Sequence, residues 1–191
     1  MKITSRAMRA VSNGFLLNMA EVSASLIGLF LVGMFFYVET GFRRTAASSD
    51  VVEPYFKAST RIVLILFSIP LLLSLTLVVL EPIWSRILFL LLAAGLVAAN
   101  VDTVVRIRAV ARVTRSTALL VNEIVGSVAV VGIITIPWIL GGFHPTTEDL
   151  TWAILLSFVT GFASICAMVL FAFDIARIEA TEAAYDAADT R

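Results

Sequence analysis

Five apolar runs, each long enough to be a helix through a bilayer, leave this chain few folds to choose from. They cover 15–38, 61–80, 86–105, 118–140 and 151–173. A helix crosses the roughly 30 Å hydrocarbon core with about 20 residues. No water is present there, so backbone groups must pair within a helix or a closed barrel. None of the five runs alternates apolar and polar residues as a barrel strand does. The expected fold is an all-α membrane protein, a bundle of five transmembrane helices. A four-span bundle, in which the first segment does not cross, is the alternative.

The totals agree. Hydrophobic residues make up 60% of the 191, and charged ones only 15%, against about 25% charged in globular domains. That apolar surplus faces lipid. Lys2, Arg6 and Arg9 resemble the basic start of a signal peptide, but the apolar stretch runs on past Asn18 to Val38, as in a retained span. Three parts are expected: an amphipathic amino-terminal tail (1–14), the transmembrane bundle (15–173) and an acidic carboxyl-terminal helix (174–191).

The connectors are punctuated by turn residues. Glu81-Pro82 opens a tight turn over 81–85. Residues 141–150 hold Gly-Gly and His-Pro, followed by Thr146 and Asp149 at capping-box spacing. The longest loop covers 39–60. Pro70 falls inside the second span, where a kink is expected.

Orientation is read from lysine and arginine, which concentrate on the cytoplasmic side. With five spans, one side receives 10 basic residues and the other receives Lys2, Arg6, Arg9 and Arg86, out of 14 in all. The expected placement is a multi-pass protein of the cell membrane, amino terminus outside and carboxyl terminus cytoplasmic. Trp84, Trp138 and Trp152 all fall at span ends on the outer side, at headgroup level.

The third helix is expected to continue past the membrane, carrying Arg106, Arg108, Arg112 and Arg115. These can meet lipid headgroups, a soluble cytoplasmic partner, or the acidic tail with Asp174, Glu179, Glu182, Asp186 and Asp189. Two solvated arms are the plainer alternative.

Charged side chains within spans are costly and ask for a reason. The candidates for an ion pathway or a buried polar site are Glu21, Glu123, Asp102, Asn122, Ser25 and Ser127. Ala20, Ala24, Ser25 and Gly28 lie at the shoulder of Glu21, so this carboxylate is expected to face protein or a cavity, with Arg86 as a structural partner if it has no function. Glu21 and Glu123 each precede a small residue by three and a serine by four, on spans expected to run in opposite directions as in an inverted repeat of a transporter. Five residues are a short match, and chance is the favoured reading. Asp102 can pair with Arg106 one turn on, and Glu123 can join them. Ala94, Ala98, Ser157 and Gly161 offer small faces for packing within or between chains.

No catalytic, cofactor or metal-binding pattern is found. The single histidine, His144, sits in a loop, and the single cysteine, Cys166, lies in an apolar run. The net charge of zero gives no reason to expect nucleic acid as a partner. The remaining classes are a channel or transporter for a small ion, and a scaffold or sensor subunit that recruits a partner. Arginines at the inner mouth keep an anion pathway open as a variant of the first. The expected partners are the bilayer, further copies of the chain and a soluble cytoplasmic protein.

The topology is tested by cysteine labelling in a variant lacking Cys166. Ser48→Cys and Thr114→Cys should be shielded from impermeant thiol reagents in intact cells, and Thr147→Cys should react. Labelling in the opposite pattern would reverse the orientation.

Overall fold

The computed structural model describes the backbone of residues 2–41, 52–114 and 117–189, and side chains over 13–36, 39, 57–81, 83–105 and 123–170. Among the described residues every element is helical. In order they are α1 (Lys2–Gly41), α2 (Val52–Ser68), a π-helical turn (Ile69–Leu73), α3 (Ser74–Val79), α4 (Pro82–Thr114), α5 (Thr117–Gly141) and α6 (Thr147–Asp189). Five stretches are long and apolar enough to cross a membrane: Asn13–Phe36, Lys57–Val79, Ile83–Val105, Glu123–Gly141 and Thr147–Leu170. The chain is an all-α five-helix bundle of membrane-spanning character, and the first segment qualifies alongside the other four.

The second span is the centre of the bundle. It packs against α1, α4 and α6, while α5 closes the ring between α4 and α6. The helix α1 stands outside this ring and rests mainly on the second span. The shared core is Leu16, Leu66, Ile69, Leu73, Phe89, Leu96, Val130, Ile133, Leu150 and Ile154, each at most 3% exposed. Lipid tails are as apolar as these side chains, so close fit rather than water exclusion holds the helices together. Gly161 on α6 supplies such a fit: a Cβ there would stand 3.1 Å from the Phe67 ring. The same ring meets Phe158 edge-on, with centroids 5.9 Å apart. Of the small residues expected to pack, Ser157 and Gly161 are buried within the chain, whereas Ala94 and Ala98 remain on its outside.

Pro70 is accommodated as a π turn rather than a simple kink. Its nitrogen has no hydrogen to return to the preceding turn. The backbone widens over Ile69–Leu73, and α-helical bonding resumes at Ser74, whose N–H reaches the carbonyls of Pro70 and Leu71.

The turn after the second span is shorter than expected. Leu80 leaves the helix in extended conformation (φ −108°, ψ 167°), and α4 already begins at Pro82. Proline suits the first helical position because its missing N–H would be unpaired there anyway. At the other hairpin, Gly142 takes φ 61° beyond α5, a left-handed conformation that glycine adopts freely. A Cβ on Gly141 would collide with the Asp149 carboxylate. The expected capping box is present: the Thr146 N–H and hydroxyl both donate to Asp149 Oδ2, at 2.7 and 2.8 Å.

The helices α4 and α6 run on past their spans, to Thr114 and Asp189. At 43 residues, α6 alone measures about 65 Å. The loop residues 42–51, Arg115 and Arg191 lie outside the described residues, as do the side chains of Arg106, Arg108 and Arg112 and those of the acidic tail. Docking between the two arms therefore concerns groups outside the described set.

Gly161→Leu should force the Phe67 ring out of its place and destabilise the bundle by about 1–3 kcal/mol, as overpacking does. The measurement is thermal unfolding in detergent. An unchanged midpoint would show that the contact between α6 and the second span is loose.

Candidate functional site

The polar residues of the spans fall into three places. The first is the outer side of α1. Leu16, Ala20 and Ser23 point into the bundle, at 1%, 4% and 0% exposure. Successive helical residues turn by about 100°, which sets Asn18, Glu21 and Ser25 roughly 140–200° away from that inward line. All three are exposed on the chain's outside. The expectation that Glu21 faces protein or a cavity is therefore not met within a single chain. The reason is helical phase: Ala20 belongs to the inward line, whereas Ala24 and Gly28 drift off it, so the small residues spread over two faces.

Glu21 lies within the first apolar stretch rather than at its end. It lies about 12 Å along the axis from Asn13, where the first span begins. A carboxylate near the middle of a bilayer costs about 2.5–3.5 kcal/mol on insertion scales. Ser25 Oγ donates to the backbone carbonyl of Glu21 at 3.0 Å. Among the described residues no donor reaches the Glu21 carboxylate. Arg86, the expected structural partner, is engaged elsewhere. Its Nε donates to the Pro145 carbonyl and its Nη1 to His144 Nδ1, both at 3.3 Å. A guanidinium has no acceptor, so in this contact His144 Nδ1 must carry the lone pair. Arg86 thereby ties the start of α4 to the loop before α6.

The second place is the opposite end of the bundle, where α2, α4 and α5 meet. Arg61 Nη1 stands 3.9 Å from Asp102 Oδ2, with side chains 70% and 35% exposed. A pair this open contributes little to stability. Ser127 Oγ donates to Asn100 Oδ1 at 3.3 Å, joining α5 to α4. Glu123 is half-buried one turn before Ser127. The side chains of Asn122 and Arg106 lie outside the described residues, so the expected Asp102–Arg106 pair does too. The structure thus gathers Asp102, Asn100, Ser127 and Glu123 at one end of the bundle and leaves Glu21 and Ser25 apart on α1. The two matching segments sit in unlike surroundings, one turned outward and one between helices.

The third place is the interior. Ser23, Ser74 and Ser85 are buried with hydroxyls that have no hydrogen-bond partner. Sequence reasoning passed over them, because a serine within an apolar span reads as a small packing residue. It also passed over Arg61 as the partner of Asp102. The available signal was that both stand near the same ends of antiparallel neighbouring spans.

No group of three or more metal-ligating side chains occurs among the described residues. No protein family, curated protein or solved structure matches the chain.

Ser127→Ala removes the bridge between α4 and α5 without changing their shape. Hydrogen bonds between transmembrane helices average about 0.6 kcal/mol and reach about 1.7. A loss in that range on unfolding in detergent is expected, and Asn100→Ala in the same background should add little. Full additivity of the two would show that the pair does not interact.

Proposed function

We propose that this chain is a membrane subunit that carries a proton or small cation, with Glu21 as the intramembrane group that meets the ion. The supporting observation is the exposed, unpartnered Glu21 carboxylate deep in the first span. A charge kept at such a cost without a structural partner argues for use of the charge itself. The axis of the bundle is filled by Leu66, Phe67, Phe89, Leu96, Ile133 and Ile154, each 0% exposed. The ion path of this reading therefore runs along the outer face of α1, past Asn18, Glu21 and Ser25. Glu123 and Asp102 stand near the far end of the spans, where they can attract or release the ion. The protein would lie in the cell membrane with its amino terminus outside and its arms in the cytoplasm.

A second reading rests on a different observation. Beyond the end of the apolar run at 173 the helix α6 continues unbroken to Asp189, a projection of about 24 Å at 1.5 Å per residue. An arm of that length suits a scaffold or sensor that recruits a soluble partner.

Reconstitution in liposomes separates the two. With protons, monovalent cations and anions tested in turn, the first reading expects cation or proton flux in the native chain. It expects that flux to vanish in Glu21→Gln, which keeps the side chain's shape but cannot ionise. Expression and detergent stability of Glu21→Gln should stay near native, because no partner is left behind. Vesicles that remain tight to every ion, or flux untouched by Glu21→Gln, would remove Glu21 from this role.

A further inference from the structure

The outer face of α1 carries a regular seam. Gly14, Asn18, Glu21, Ser25, Gly28 and Val32 follow one another at alternating steps of four and three, and every one is exposed. This is the 3.5-residue repeat of two helices wound left-handedly around each other. The same helix carries the repeat once more on its inner side. There Leu16, Ala20 and Ser23 are buried and Ile27, Phe30 and Met34 are half-buried, on the side that the second span covers. One seam is filled by the chain itself, and the other is empty in the single chain.

The outer seam is unlike the surface around it. Its neighbours Leu17, Val22, Leu29 and Leu31 are 46%, 41%, 69% and 48% exposed and suit lipid tails. From Gly14 to Gly28 the seam between them is made of glycine, asparagine, glutamate and serine, and Val32 ends it. A Cβ on Gly14 or Gly28 would meet nothing within 4 Å, so among the described residues no contact calls for glycine at either position. Small residues at this spacing let a second helix approach closely. The carboxyl of Glu21 and the amide of Asn18 need hydrogen-bonding partners that lipid tails do not offer.

We propose that the seam is occupied by α1 of a second copy of this chain, the two α1 helices running parallel. Copies inserted the same way present their α1 helices side by side in the same direction and at the same depth. Glu21 then meets Glu21, and Asn18 meets Asn18. The carboxamide of Asn18 and the hydroxyl of Ser25 each hold both a donor and an acceptor, and either can donate to the Glu21 carboxyl of the other copy, so this surface is complementary to itself, as a symmetric interface requires. A basic partner helix would instead have to bring its own cation to this depth. The proposal stands on the seam and holds whether or not ions pass along it.

Disulfide trapping in membranes tests it, using the full chain with Cys166→Ala and one introduced cysteine at a time. Under copper-phenanthroline oxidation, Asn18→Cys and Ser25→Cys should convert to covalent dimers. Val22→Cys, exposed but off the seam, should stay monomeric. Gly28→Leu fills the seam without touching its own chain and should abolish the Ser25→Cys dimer. The purified chain in liposomes should behave as it does in native membranes. Monomer at both seam positions, equal trapping at Val22→Cys, a dimer that survives Gly28→Leu, or trapping lost on purification would each overturn the proposal. Dimers in vesicles that stay tight to ions would remove the transport reading and leave the seam in place.

Discussion

In hydrocarbon nothing competes for a peptide hydrogen bond and nothing replaces one that is lost. The rest of this structure depends on that constraint. It makes each span a continuous helix, and it governs the side chains as well. The hydroxyls of Ser68, Thr103, Thr135 and Thr160 all return to a carbonyl four residues back on their own helix. The helix α5 runs through Pro137 as an unbroken α-helix, whereas at Pro70 the missing donor is met by a π turn, with bonding restored by Ser74. The break falls near the middle of the second span, the helix on which the others assemble.

With backbone bonds confined to each helix, assembly is left to shape. Gly161 receives the Phe67 ring, and Phe67 and Phe158 meet edge to face. Among the described residues the shared core is apolar and closely fitted. The buried polar side chains among them are serines and threonines, and the charged ones stand at the ends and on the outside. At one end Arg86 holds the loop at His144 and Pro145, and at the other Arg61 approaches Asp102. Glu21 stands away from both ends, on an exposed side of α1.

The transport reading and the second-copy reading meet on that helix for one physical reason. A carboxylate turned away from its own fold must be answered by something outside it, whether an ion, water or another chain. An assembly built through α1 would bring several Glu21 side chains to one depth.

The five spans, their near boundaries, the capping box at Thr146 and the site of irregularity at Pro70 were all legible in the amino-acid sequence. These features are local: hydropathy over about 20 residues, a residue type at a cap and a missing N–H act on the nearby chain alone. The sequence also marked Glu21 as costly wherever it points. Tertiary structure decided where it does point. Small neighbours suggested an inward face, but the inner line of α1 was set by how Leu16, Ala20 and Ser23 fit the second span, and Glu21 fell on the far side. In the same way, only the packing of α2 against α4 and of α4 against α5 brought Arg61 to Asp102 and Asn100 to Ser127. Helix phase and neighbour choice depend on the fit between surfaces distant in the chain, which no local pattern encodes.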